Sequence, residues 1–524
     1  MARAKRTVCP EISGGINRSV GADSIEDGQS PDMLNFWQKN GRLTLRPGLK
    51  KLFTQEYGPV ICVYPRDGSD LLISRVTQNG AVEEKRGFYI LTKKAVLIYD
   101  GQSCTRVPDS LFWKDGWQTR CGDYDFTGCA LLPYGTANDA FGEADESVCV
   151  EGARLCVVGN GLFQIAPHVV VYEMPTGVPH STAACLIESV TPHIPVLYGN
   201  CASNGTGTKN EEPNLLTPLR IQKFTTDAIS TTYRLCEDNL DNAPVTAVYS
   251  PAPGAACTFF FDRDCTLAQQ GTLIASLDRA AGTLFFLSTL IDSTQNGVLN
   301  NLVVTYSKTD SDTVGDGNAV ACCSFGIWFG GGTQSVSGCS RLFLAGCAAA
   351  PNRIYYCAAA DLTYFAKNAY IDIGSPSDPI TALGIQFDTL VVLKKGSVYA
   401  LDYADTPDTA AFTVRVVNPA AGCDMPGSVC LLSNLLVWGD SAGGLNTLQS
   451  TSVANERAVR VLSRNIAPLL SALPKETLQA ACAVCDGSRY LLLAGSTVFV
   501  LDYEKLQIQN GLPKGANWFV WTLP

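Results

Sequence analysis

Short apolar runs separated by tight polar turns recur along the chain, and they come in pairs. FYILTKKAVLIYDG begins at Phe88, RLCVVGNGLFQI at Arg154, RLFLAGCAAAPNRIYYC at Arg341, TLVVLKKGSVYALDY at Thr389, NLLVWGDSAGGLNTL at Asn434 and RYLLLAGSTVFVLDY at Arg489. Each reads as two strands joined by a turn, because apolar runs of about four to eight residues bounded by turn residues have strand length. The last four phrases start 48, 45 and 55 residues apart, close to the ~40 to 50 residues of a four-stranded propeller blade. A lone hairpin exposes one apolar face, and radial stacking of such units covers it. The pattern predicts an all-β protein built on a six-bladed β-propeller.

The spacing between the second and third phrases is too long for one blade, and the text there changes character. From about Gln164 to Asp312 it contains all three histidines, a polar loop SNGTGTKNEEPN, and the alternating runs LRIQKFTTD, STTYRLCED, PVTAVYSP, CTFFFDRD, GTLFFLST and NNLVVTYSK. Alternation over several short strands predicts a small inserted β-sandwich. The expected organisation is an N-terminal arm and hairpin (1–52), a first set of blades (53–163), the inserted sandwich (164–312) and a second set of blades (313–524). The aromatic-rich NWFVWTLP suits a last, closing strand.

The arm carries its own signals. Ser30, Pro31 and Asp32 have the chemistry of an N-cap, a first-turn proline and a dipole-matched acid, so one short helical turn is expected there. Asn40-Gly41 between PheTrpGln and ArgLeuThrLeuArg predicts a two-residue hairpin that halts at Pro47-Gly48. The hairpin is expected to lead into the first blade, with Phe36 and Trp37 packed against that blade or a neighbouring subunit. Arg42 and Arg46 are expected to bond to a partner or to blade carbonyls, which makes these four the candidate interface residues.

Composition sharpens this picture. Apolar residues make up 46% of the 524 residues and charged ones 17%, with 47 glycines and 27 prolines. That balance favours short strands and turns over long helices. The net charge of −10 argues against tight wrapping of nucleic acid, which needs clustered Lys and Arg, yet an acidic wall suits a passage through which DNA slides. Basic residues cluster early, at Arg3, Lys5, Arg6, Arg18, Lys39, Arg42, Arg46, Lys50 and Lys51. MARAKRTVCPEISGG has no apolar run behind its charges, so no export signal is expected and the product should stay in the cytoplasm. The uncharged run Gly317 to Ser340 is rich in Gly, Ser, Thr and Gln and is read as strands and loops, with no membrane span. The 21 cysteines are expected to be mostly reduced thiols packed as small apolar groups.

No catalytic, cofactor or metal site is expected. Cys482 and Cys485 form a CxxC with no second pair, read as blade-core thiols like Cys322-Cys323. Asp310, Asp312 and Asp316 resemble a calcium loop, but Val314 and Gly315 fall where oxygen ligands belong. Gly330-Gly331-Gly332 and GTGTKN at Gly205 lack the following Lys-Ser or Lys-Thr of a phosphate cradle. His168, His180 and His193 lie 12 and 13 residues apart with no adjacent nucleophile. Glu83-Glu84 and Glu211-Glu212 read as solvated loop carboxylates.

EISGGINRSVGADSIEDGQSPDMLNFWQKNGRLTLRPGLKKL, from Glu11 to Leu52, resembles the N-terminal signature of tail and head–tail structural proteins of bacteriophages and prophages. The shared features are the Gly-Gly-Ile-Asn start, an acid-rich segment, then Asn-Phe, Gly-x-Leu and Arg-Pro-Gly. SRLFLAGCAAAPNRIYYCAAADLTYFAKNAYIDIGSPSDPITALGIQFDTLVVLKKGSVYAL is similar to the propeller stretch of the same proteins, and GCDMPGSVCLLSNLLVWGDSAGGLNTL and ERAVRVLSRNIAPLL continue it. The resemblance implies a non-enzymatic virion protein assembled in the host cytoplasm. It would be a subunit of a tail nozzle or connector, a homo-hexameric ring beside portal, adaptor and other tail proteins. DNA would be a non-specific passenger, retained during assembly and conducted during ejection. A carbohydrate-binding or hydrolytic β-propeller is the alternative, although no SxDxGxTW box supports it, and a cytoplasmic scaffold propeller is the third reading.

Overall fold

The computed structural model describes residues 14–48 apart from 27, 40 and 41, and the strands lying between residues 60 and 106 and between 154 and 189. It also describes most of 192–523, the longest gaps there being 292–298, 310–319 and 331–340. The protein is all-β. Among the described residues the helices are single turns, such as Ala467–Ser471 and Lys475–Gln479, and no helix is long and apolar enough to cross a membrane.

Each of the six repeated phrases forms a hairpin within a four-stranded antiparallel sheet. The first sheet holds Val60–Pro65, Phe88–Thr92, Val96–Tyr99 and Cys104–Arg106, and the second Arg154–Val158, Gly161–Ile165, Val169–Glu173 and Glu188–Ser189. The third runs Phe325–Phe329, Arg341–Ala345, Arg353–Tyr356, Tyr370–Asp372, and the fourth Ile380–Gln386, Thr389–Lys394, Val398–Asp405, Ala410–Asn418. The fifth comprises Met425–Leu432, Leu435–Asp440, Gly444–Ser450 and Arg457–Val461. The sixth comprises Cys482–Cys485, Arg489–Ala494, Thr497–Asp502 and Asn517–Thr522. The leading strands of successive sheets touch one another from the first sheet to the sixth.

The third to sixth sheets pack face to face, and a strand covered on both sides reads as an unbroken apolar run. Thr389–Lys394 is buried at every position. Successive side chains point to opposite faces, so Leu390 and Val392 enter a core with Phe343, Ile354 and Tyr403 of the third and fourth sheets. Val391 and Leu393 enter the next core, with Leu436 and Trp438 of the fifth. A third core joins the fifth and sixth sheets through Val437, Leu445, Tyr490, Phe499 and Trp518, and the short helices cap it with Ile466, Leu470 and Leu478.

The inserted unit is two sheets over one core. Its six-stranded sheet is ordered Thr208–Lys209, Val196–Cys201, Leu219–Phe224, Leu302–Ser307, Val245–Ala252, Ala255–Phe261, and its four-stranded sheet Thr232–Arg234, Thr283–Phe286, Leu273–Asp278, Leu267–Gln270. Edge-to-face rings cross between the sheets, Phe224 to Tyr233 at 5.6 Å and Phe259 to Phe286 at 5.4 Å. The expected boundary at residue 164 is corrected, because it cuts the strand Gly161–Ile165. That strand pairs with Arg154–Val158 and Val169–Glu173, so the two-sheet unit spans Val196 to Ser307.

Two local expectations also change. Glu83 and Glu84 lie in the strand Val82–Arg86, paired with Leu72–Val76, rather than in a loop. Ser30 starts no helix. Its N–H donates to Gly15 O and its carbonyl accepts from Asn17 N, while its hydroxyl closes a local turn with Asp32. A backbone already paired this way is unavailable to a helical turn.

Candidate interface of the N-terminal arm

The arm lies on the sixth sheet. Its hairpin pairs Phe36–Lys39 with Arg42–Leu45, Lys39 opposite Arg42, the register that a two-residue loop at 40–41 requires. Upstream, Ile16 N donates to Trp518 O at 2.7 Å, and Asn35 N donates to Val520 O at 2.8 Å. The arm thus bonds at two points to the closing strand Asn517–Thr522, whose outer edge would otherwise be unpaired.

Two residues make this approach feasible. Gly15 has φ +73°, and a Cβ there would lie 2.3 Å from Trp518 O, so only glycine fits. Asn35 has φ 61°, a left-handed conformation that asparagine adopts more readily than most residues. Its Oδ1 accepts from Thr522 N at 2.9 Å and from Arg46 Nε at 3.0 Å, and its Nδ2 donates to Thr522 Oγ1 at 3.2 Å.

The four candidate residues divide between two roles. Phe36 and Trp37 are half-buried against Met33, Val498, Val500 and Phe519. Trp37 meets Trp521 edge-on at 6.0 Å, and Arg489 lies over its ring at 3.9 Å. Trp521 Nε1 donates to Phe36 O. Arg46 is held within the chain, by Asn35 and by Pro47 O at 3.1 Å. Arg42 is exposed on the hairpin's second strand, where Leu43 and Leu45 are exposed as well.

Other residues singled out in the sequence have structural surroundings. Cys482 and Cys485 occupy one strand, where positions three apart point to opposite faces; Cys482 is exposed rather than in the core, and Cys485 is half-buried. Burial pushes the Cys423 and Cys357 thiols up to about 12, so both stay protonated, and Cys357 Sγ accepts from Leu342 N at 3.0 Å. His193 meets Glu211 at 3.0 Å, and Glu211 also accepts from Val196 N. Asp310, Asp312, Asp316, Cys322, Gly331, Gly332, His168 and His180 lie outside the described residues.

Three polar contacts had no sequence signal. Lys394 is fully buried, and its Nζ donates to Ile373 O at 2.6 Å and Ser375 O at 2.9 Å; burial lowers its pKa. Asp424 accepts from Ser441 N at 2.7 Å and Gln479 Nε2 at 2.9 Å. Burial pushes its carboxyl up, but the Ser441 and Gln479 donors outweigh that and hold it below the usual carboxylate range. Asn214, nearly fully buried, donates to His193 O and Thr363 O and accepts from Leu216 N and Phe365 N. It thereby fastens the inserted unit to the third sheet's connecting loop.

No protein-family model and no curated protein sequence matches the chain. Among solved structures it is similar to PorZ, a bacterial surface component of the type-IX secretion system of Porphyromonas gingivalis, at 11% identity and TM-score 0.23. That match covers 70% of this chain and 32% of PorZ, so the chain spans about a third of that protein's length. Kluyveromyces lactis Hsv2 matches at 10% identity and TM-score 0.25, over 87% of this chain and 98% of Hsv2.

Proposed function

We propose that this chain is a non-enzymatic structural subunit of a bacteriophage tail or head–tail ring. In this reading the row of six sheets closes into a six-bladed propeller, and copies assemble into a homo-hexameric ring beside the portal or adaptor. The genome is retained by that ring during assembly and passes through it on ejection. The observation that carries the reading is the arm. The segment whose text resembles the phage signature is a strap on the sixth sheet with Arg42, Leu43 and Leu45 facing outward. Exposed apolar residues beside a cation suit contact with a neighbouring subunit. The net charge of −10 discourages DNA from adhering to the channel wall.

Native mass spectrometry and electron microscopy of the purified chain, with an antibody against the inserted unit applied to virions of the source phage, test this. A six-fold ring and label at the tail or neck are expected. A chain that stays monomeric at high concentration and is missing from purified particles would sink the proposal.

A further inference from the structure

Cys430 lies in the leading strand of the fifth sheet, Met425–Leu432, and Cys485 in the leading strand of the sixth, Cys482–Cys485. The two strands are neighbours. Neither cysteine is in a disulfide, and both are half-buried against the same inter-sheet core. Cys485 faces Tyr490 across the sixth sheet, and its thiol is a hydrogen-bond partner of the Cys430 sulfur. Nearby, Tyr490 Oη donates to Ser428 O at 2.8 Å, which ties the two sheets together two residues from Cys430 without using either thiol.

We propose that Cys430 and Cys485 are an oxidisable pair that locks the fifth sheet to the sixth by forming a disulfide when a hydroperoxide reaches them. The thiolate is the reactive form of cysteine. Hydrogen bonding from Cys485 outweighs burial and holds the Cys430 thiol below its usual range, whereas burial raises Cys423. In the proposed lock Cys430 is the nucleophile and Cys485 the resolving thiol.

In the first step the Cys430 thiolate attacks the terminal oxygen of the hydroperoxide. An S–O bond forms, the O–O bond breaks, and the leaving alkoxide or hydroxide takes a proton, leaving Cys430 as a sulfenic acid. Cys485 sulfur then attacks the Cys430 sulfur. The S–S bond forms, the S–O bond breaks, and the hydroxyl leaves as water with the Cys485 proton. Two protein thiols lose two electrons and two protons in all, and with hydrogen peroxide the products are the disulfide and two waters.

The test is peptide mapping of the full chain after treatment with hydrogen peroxide, without reductant. The expected result is a loss of two hydrogen atoms in mass and a cross-linked peptide pair containing Cys430 and Cys485, both reversed by dithiothreitol. Cys430 should be oxidised roughly tenfold faster than Cys423. Cys485→Ser should stop at a Cys430 sulfenic acid that dimedone traps, Cys430→Ser should abolish trapping and cross-link, and Cys482→Ser should change neither. If the unmutated protein keeps its circular dichroism spectrum while Cys430 remains fully alkylatable, or if its cross-link joins Cys430 to Cys482, the lock does not exist. Because the wild-type map decides, a variant that fails to fold leaves the outcome readable.

Discussion

The Arg489 guanidinium sits 3.9 Å from the centre of the Trp37 ring, whose edge meets Trp521 at 6.0 Å. A cation on one face and an aromatic neighbour grip this one side chain of the arm. Trp37→Ala should weaken arm docking by about 2 to 3 kcal/mol, through lost burial and the lost cation–π contact. Amide hydrogen exchange at Asn517–Thr522 should rise while exchange in the inserted unit stays unchanged. Equal protection of the closing strand in both proteins would show that Trp37 does not hold the arm.

Asn35 combines a left-handed backbone with three side-chain bonds. Asn35→Gly keeps the backbone and loses the bonds, whereas Asn35→Ala loses both. The alanine variant should therefore be the less stable by about 1 kcal/mol, read as the difference between their thermal midpoints. Identical midpoints would mean that the positive φ carries no cost.

Asp424 predicts an acid sensitivity with a definite sign. Its folded carboxyl sits below the ordinary value near about 4, so the stability it contributes is fully present above that value. That stability is lost as pH falls through the lower, folded value. Asp424→Asn should lower stability at neutral pH by about 1 to 2 kcal/mol and flatten the decline below about pH 4. Urea midpoints measured from neutral to acid pH check this, and an unchanged slope in the variant would refute it.

Asn214 joins residues about 150 positions apart, Leu216 on one side and Thr363 and Phe365 on the other. Removing its amide with Asn214→Ala leaves buried backbone groups unpaired, at a cost of about 2 to 3 kcal/mol. Limited proteolysis should then cut near residues 190–193 and 361–367 faster, with the core of the inserted unit still protected. Cleavage within Leu219–Phe224 instead would place the damage elsewhere.

Lys394→Met should be costly despite being an apolar replacement in a buried position. It strips the carbonyls of Ile373 and Ser375 of the donor that satisfies them, worth about 1 to 3 kcal/mol. Hydrogen exchange in residues 373–378 reports the loss, and a variant as stable as the parent would show that those carbonyls find another donor.

Legibility in the sequence followed the range of the interaction. TLVVLK announced a strand because both its faces are buried, and its unbroken apolar text is what face-to-face packing demands. The Asn40-Gly41 turn was readable because a hairpin is local, and Lys39 opposite Arg42 agrees with it. Ser30-Pro31-Asp32 misled because the same cap chemistry serves a local turn, and the pairing with Gly15 and Asn17 that decides the matter lies outside any short window. The arm's seat on the sixth sheet was invisible for a stronger reason. Asn35 and Thr522 are 487 residues apart, and no periodicity connects them.

The inserted unit begins with Val196–Cys201 and ends with Leu302–Ser307, and both strands flank Leu219–Phe224, with Val196 near Ile221 and Ser307 opposite Leu219. The two points at which it joins the host chain are therefore at one end of the same sheet, two strand spacings or about 10 Å apart. A short peptide bridge spans that distance, so the unit is a cassette. It can be excised, or exchanged for another domain with closely spaced ends, while the six surrounding sheets keep their order.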